Sequence, residues 1–180
     1  MPPSEVSAIT LLTAVAVVEM LRALTPLNPK IKWPNDILIN GKKIAGILTE
    51  MSMEMDSVDF IIVGLGLNVN TPPTGFTEEL RQIATSIFIE TGKKWDRVSL
   101  IREYLKWYET YYDIFKKDGF TPIANRWKTF TNIIGKRVTV DMTIKMITGE
   151  AVDVDNTGVL IIRDEKGEMH RIYSGDVLIQ

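Results

Sequence analysis

The chain has 180 residues, a net charge of −2, one histidine and no cysteine. This excludes a disulfide framework, a thiolate zinc site, a cysteine nucleophile and a histidine-rich metal centre. With 45% apolar and 24% charged residues the chain is too apolar to be mostly disordered. It carries no basic stripe of the kind that binds nucleic acid. At roughly 150 residues per domain, the length suits one domain with a small appendage.

Pro2-Pro3-Ser4 reads as a helix entry with Ser4 as N-cap, and the helix runs to about Leu24, where Pro26 and Pro29 stop it. It is apolar around most of its circumference, which predicts a helix buried beneath a sheet. Its uncharged run, Val6 to Val18, is too short to span a bilayer. No basic n-region or small-residue cleavage site accompanies it, so the expectation is a cytoplasmic protein without a membrane partner.

Three strand candidates follow: Ile31–Asn40, Lys43–Met51 and Val58–Asn70. Asn40-Gly41 is a two-residue hairpin signal, because both central positions of a type I′ turn need positive φ. Met55-Asp56-Ser57 supplies a second turn, and the whole is an antiparallel meander. Phe76–Thr91 reads as a helix ended by Gly92. Trp95–Lys117 reads as a long amphipathic helix, with a stripe of Val98, Ile101, Leu105, Tyr108, Tyr112 and Phe115. Thr121 and Pro122 open a shorter helix over Ile123–Phe130.

From Ile134 the pattern changes to short β runs: Arg137–Met142, Glu150–Val154, Val159–Arg163, Met169–Tyr173 and Val177–Ile179. Turns of the Asp-Asn-Thr-Gly and Asp-Glu-Lys-Gly type separate them, which predicts a small β-barrel. The expected class is α+β, with residues 1–131 forming a sheet with helices on one face and residues 132–180 the barrel.

The third strand is the most informative. Period two places Ile61, Val63, Leu65, Leu67 and Val69 on one face, suited to the first helix. The other face runs Phe60, Ile62, Gly64, Gly66, Asn68 and Asn70, from large apolar groups to bare backbone to amide. Glycine inside a strand marks a bulge, a second backbone, or a ligand lying close. Gly64-Leu65-Gly66 is not a dinucleotide fingerprint, since the third glycine and the helix are missing. The hairpin adds Lys32-Trp33-Pro34-Asn35-Asp36 and Lys42-Lys43. Each taken singly reads as a surface charge or a packed aromatic. Together they put an ammonium, amides and bare backbone N–H groups in one meander, a combination suited to an anionic group. Strict alternation places Lys43 and Gly46 on opposite faces, so either a bulge intervenes or Lys43 acts from the entrance of its strand.

At these residues the sequence resembles the biotin protein ligases (biotin–[acetyl-CoA-carboxylase] ligases). The matching motifs are Lys32-Trp33-Pro34-Asn35-Asp36, Gly41-Lys42-Lys43-Ile44-Ala45-Gly46-Ile47-Leu48-Thr49-Glu50 and Gly64-Leu65-Gly66-Leu67-Asn68-Val69-Asn70. The tail Ile172-Tyr173-Ser174-Gly175-Asp176-Val177 is similar to the family's SH3-like barrel. The resemblance implies part of a class II synthetase-like core. It also implies the reaction of biotin with Mg·ATP to give biotinyl-5′-AMP, followed by transfer to a lysine of a carboxyl-carrier domain. Lys43 is then the catalytic lysine on the biotin carboxylate and phosphate. Gly46, Leu48, Gly64 and Leu67 line the biotin slot, and Asn35, Asn68 and Asp36 face the nucleotide; no resident metal is implied. Family members also carry strands and a Gly-Arg-rich loop ahead of the first helix, and no such loop occurs in these 180 residues. The expected partners are therefore a carrier domain, an N-terminal half from another chain, or a second copy in a homodimer. The competing readings are a non-catalytic biotin- or carrier-binding module, and a lipoate-ligase relative, against which the Lys-Trp-Pro-Asn-Asp motif and the barrel both argue.

Overall fold

The computed structural model describes residues 6–54, 57–142 and 145–179. The expected cap at Ser4 and the center of the turn at Met55-Asp56 lie outside the described residues. Helix α1 (Val6–Leu24) is the axis of the fold. By length and composition alone it could cross a membrane. Here Leu11, Leu12, Val15, Val17, Val18 and Leu21 are fully enclosed by protein, as a helix that is apolar around most of its circumference requires. It ends where the Thr25 hydroxyl and amide both donate to the Leu21 carbonyl.

Among the described residues, one charged side chain is buried in this core. Glu19 is buried, and its Oε1 accepts from the Tyr111 hydroxyl at 2.9 Å and from Arg126 Nε at 2.6 Å. The three residues belong to α1, α4 (Arg97–Asp118) and α5 (Thr121–Phe130), so the network bolts the helices together. A carboxylate this enclosed is tolerated only because it is paired. Burial, then the Glu19 carboxylate, pushes the Tyr111 phenol up to about 12.

The first sheet has four strands in the order β1 (Lys30–Lys32), β2 (Asp36–Ile39), β3 (Lys42–Glu54) and β4 (Ser57–Leu67), with every neighboring pair antiparallel. Asn40 and Gly41 both have positive φ (50° and 80°), as a type I′ turn requires. The segment read as one strand, Ile31–Asn40, is instead two. Lys30 pairs with Leu38 and Lys32 with Asp36, which makes Trp33-Pro34-Asn35 a hairpin turn. Proline cannot donate to a ladder, so the chain reverses there.

The expected helix over Phe76–Thr91 is also divided, into α2 (Glu78–Ile83) and α3 (Ile87–Thr91). Between them the backbone is recruited by the meander. The Thr85 amide donates to the Lys43 carbonyl at 2.9 Å, and the Ile87 amide to the Asn68 carbonyl at 3.0 Å. Ser86 then caps α3. On α4 the expected stripe is packed only in part, with its Tyr108 and Phe115 meeting the core. Leu100 and Tyr111 are buried, with Tyr104, Trp107 and Tyr108 packed against the core. Val98, Ile101 and Leu105 are 62%, 57% and 55% exposed.

The second sheet comprises β5 (Arg137–Asp141), β6 (Met146–Val154), β7 (Leu160–Arg163), β8 (Met169–Ile172) and β9 (Asp176–Ile179), in the order β8-β7-β6-β5-β9. It encloses Val138, Val140, Ala151, Leu160, Ile162, Ile172 and Val177, which are continuous with the core around α1.

Candidate functional site

The β3–β4 register sets Gly46 opposite Gly66, Leu48 opposite Gly64 and Glu50 opposite Ile62. All six residues therefore lie on the face of the sheet turned away from α1. A Cβ on Gly64 would meet only the Leu48 carbonyl oxygen at 3.6 Å and Leu48 Cβ at 3.9 Å. One on Gly66 would meet only the Gly46 carbonyl oxygen at 3.8 Å. These are ordinary contact distances, and neither glycine has positive φ. Among the described residues, no crossing backbone and no strained turn requires glycine at either place. What the two glycines provide is a bare, open strip of backbone.

Lys43 reaches this strip because the ladder between β2 and β3 carries a bulge. Asp36 pairs with Gly46 and Ile37 with Ala45, but Leu38 pairs with Lys43, so Ile44 is an extra residue. Ile44 and Ala45 are both buried. The bulge reverses the alternation and brings Lys43 to the face of Gly46. The lysine then lies across that glycine: a Cβ there would be 2.9 Å from Lys43 Cε and 3.1 Å from Nζ. The ammonium sits 2.5 Å from Asp36 Oδ1. The contact is an ion pair without hydrogen-bond alignment, since the same enclosed oxygen makes no hydrogen bond.

Lys43, Gly46, Leu48, Gly64 and Asn35 line one shallow cleft of about 420 Å³, together with Ile47, Leu65 and Gly66. Leu48 is 62% exposed at its edge. Leu67, expected in the same slot, is on the other face. It pairs with the buried Ala45 and lines a separate groove with Met20, Leu100, Ile101 and Tyr104. The two-residue period of β4 makes this unavoidable once Gly64 and Gly66 face the cleft.

The residues expected at the nucleotide are mostly engaged with the protein. Asn35 Nδ2 donates to the Ile47 carbonyl at 2.9 Å, while the Ile47 amide donates to the Asn35 carbonyl at 3.0 Å. Asn68 Nδ2 donates to the Thr85 carbonyl at 3.0 Å. Asp36 holds Lys43. Asn35 thus braces the wall of the cleft, whereas Asn68 and Asp36 are not among the residues that line it. Lys42, the neighbor of the catalytic candidate, points elsewhere and donates to the Arg81 carbonyl at 2.8 Å.

Sequence reasoning missed Trp33 as more than a packed aromatic. It is buried, and its indole N–H donates to the Gly158 carbonyl in the second β domain at 3.2 Å. A tryptophan beside a proline in a turn was the available signal; its partner, 125 residues away, was not visible in the sequence.

The chain resembles known proteins along its whole length. Residues 133–179 match the model of the biotin protein ligase C terminal domain, and residues 1–68 that of the biotin/lipoate A/B protein ligase family. The apo structure of the biotin protein ligase from Aquifex aeolicus superposes with a TM-score of 0.84 at 30% identity, over 98% of this chain and 76% of that one. The chain belongs to the biotin protein ligase family. The same Aquifex ligase in complex with biotin and ATP superposes with a TM-score of 0.82 over 100% of this chain. The bifunctional ligase/repressor BirA of Bacillus subtilis is 41% identical over 176 residues, covering 98% of this chain and 54% of BirA. The biotin–[acetyl-CoA-carboxylase] ligase of Mycobacterium tuberculosis is 31% identical over 159 residues. The chain spans about half the length of the bifunctional ligases it matches.

Proposed function

We propose that this chain carries the glycine floor and the lysine of a biotin protein ligase that forms biotinyl-5′-AMP from biotin and Mg·ATP. The acyl group then passes to a lysine of a carboxyl-carrier protein. The observation that carries this reading is the open Gly64–Gly66 strip with the Lys43 ammonium over its end. In the first step a biotin carboxylate oxygen attacks the α-phosphorus of ATP and pyrophosphate leaves. In the second, the carrier amine attacks the acyl carbon, AMP leaves and the amine loses a proton. Negative charge gathers at the carboxylate–phosphate junction in both steps, where a preplaced ammonium stabilises it. The fused bicycle of biotin can approach a floor that is bare at Gly64 and Gly66, with Leu48 at its edge against the apolar thioether ring and side chain. Magnesium arrives with the triphosphate as part of the substrate. Asp36 is the carboxylate beside the cleft, and a magnesium ion needs only one or two protein carboxylates when phosphates supply the rest.

The same reading includes a further segment of polypeptide over the floor. About a quarter of the Aquifex ligase has no counterpart here, since the chain covers 76% of it. Among the described residues β4 is an edge strand. Phe60 and Ile62 are 51% and 54% exposed on its outer face. On the inner face, Ile61 and Val63 line a groove with Tyr108 and Tyr112 of α4. An open edge with apolar surface on both faces is the kind of edge another strand pairs with. We take residues 1–131 as the partial catalytic unit that receives it and residues 132–180 as the appended β domain.

The experiment is reconstitution. The chain is mixed with the unmatched segment of the Aquifex ligase, or fused to it, and biotinyl-5′-AMP and carrier biotinylation are followed. Turnover is expected only with the segment present, and Lys43→Ala should abolish it while leaving the melting temperature almost unchanged. Calorimetric biotin binding by the chain with no ATP-dependent tightening and no turnover in any mixture would favour the non-catalytic module. Equal losses of activity and stability in Lys43→Ala would make that lysine structural.

A further inference from the structure

We propose that the C-terminal β domain is a positioning element for Lys43 and that it acts through the turn Lys32-Trp33-Pro34-Asn35-Asp36. Four of the five residues of this turn carry a tether, and the tethers point in two directions. Lys32 Nζ is 2.8 Å from Asp176 Oδ1 at the start of β9. The Trp33 indole N–H donates to the Gly158 carbonyl, in the turn before β7. Both partners belong to the second β domain. Asn35 is locked to the Ile47 backbone by two hydrogen bonds, of 2.9 and 3.0 Å, and Asp36 holds the Lys43 ammonium. Both of those partners lie on β3. The turn is therefore a joint, with the β domain gripping one half and the site hanging from the other.

The grip is rigid at its far end. Gly158 has φ of 83°, and a Cβ there would lie 3.0 Å from the backbone of Ser7 and Ala8. The Gly158 backbone thus packs close against the start of α1, the most enclosed helix of the molecule. Trp33 itself is 1% exposed. A hydrogen bond from a fully enclosed indole to this closely packed turn restricts the freedom of both, because an unmade bond there would strand a buried polar group. Without that grip, two short strands and the Asn35–Ile47 hydrogen bonds would have to hold Asp36 in register with Gly46, and strand β1 has only three residues.

The catalytic consequence rests on the ligase reading, whereas the positioning does not, so the test separates them. Trp33→Phe keeps an aromatic ring but removes the donor together with the five-membered half of the indole; Asp176→Asn removes the charge of an exposed carboxylate without touching the core. The Ile47 amide, which donates to Asn35, reports the turn directly. Its hydrogen exchange should rise at least about fivefold to tenfold in Trp33→Phe, the change expected for one buried hydrogen bond before the lost packing is added, and further in the double variant. Amides of α1 should keep their protection. Lys128→Ala, which breaks another link between the units (2.6 Å to Asp153), should leave Ile47 unchanged. In the reconstituted ligase, kcat for adenylate formation should fall by a similar factor in Trp33→Phe with KM for biotin unmoved. Unchanged Ile47 exchange in both Trp33→Phe and the double variant would overturn the proposal, as would an equal effect of Lys128→Ala. Absence of adenylation in every form, with Ile47 exchange changed as expected, would sink the ligase reading and leave the positioning intact.

Discussion

Replacing Gly64 by alanine separates a glycine kept for the fold from one kept for a ligand. The added Cβ would sit 3.6 Å from the Leu48 carbonyl oxygen and 3.9 Å from Leu48 Cβ, so nothing has to move. The backbone at Gly64 is not among those with positive φ. Glycine in a strand costs roughly 0.5–1 kcal/mol relative to alanine, mostly through chain entropy. The variant should therefore be as stable as the parent or slightly more so. At about 2–4 °C per kcal/mol for a chain of this size, the melting temperature should rise by roughly 1–4 °C. The methyl group projects into the open cleft beside Lys43 and Gly46. If a ring system lies against the strip, the methyl overpacks it at a cost of about 1–3 kcal/mol, or roughly 5- to 150-fold in affinity. Differential scanning calorimetry reads the first quantity and titration calorimetry with biotin, on the reconstituted form, the second. A stability loss above about 1 kcal/mol would show that the fold itself needs the glycine. Unchanged biotin affinity would show that nothing lies against the strip.

Gly46→Ala probes the lysine instead. Its Cβ would crowd Lys43 Cε at 2.9 Å, and the flexible end of the lysine can swing away. With Lys43 half exposed, losing the Asp36 pair should cost at most about 1 kcal/mol of stability. Adenylate formation should fall by about 100-fold, as when an oxyanion donor is lost; a fall of less than threefold would mean that Asp36 does not set the position of the ammonium. In the helical core, phenolate absorbance should place Tyr111 at about 12, against an ordinary value of 10.0. The folded value is the higher one, so this group's contribution to stability is complete below pH 10 and is lost as the pH rises through about 12. Glu19→Gln should lower the value only in part, because burial is its first cause and the carboxylate its second.

Short-range chemistry was legible in the amino-acid order alone. The buried first helix, the Asn40-Gly41 turn, the two faces of β4 and the β-rich tail all follow from periodicity and turn residues, since those patterns depend on neighbors within a few positions. The motifs around Lys32, Lys43 and Gly64 carried the family resemblance before any coordinates. The interruptions required the assembled molecule. The helix read across Phe76–Thr91 breaks because the Lys43 and Asn68 carbonyls claim the amides of Thr85 and Ile87, and no local propensity encodes a hydrogen bond to a distant strand. The α4 stripe holds at Tyr108 and Phe115 but not at Val98, Ile101 and Leu105, because periodicity finds an apolar face without fixing how it is rotated toward the core; Leu100, Tyr104, Trp107 and Tyr111 complete the packed face. Lys43 came to the face of Gly46 through a bulge at Ile44, which exists only once β2 and β3 are paired. Leu67 left the slot by the same alternation that placed Gly64 in it. What belonged to the tertiary structure alone was the coupling of distant segments, Trp33 to Gly158 and Lys32 to Asp176. Such contacts depend on how separate elements pack, and the spacing of residues along the chain carries no record of them.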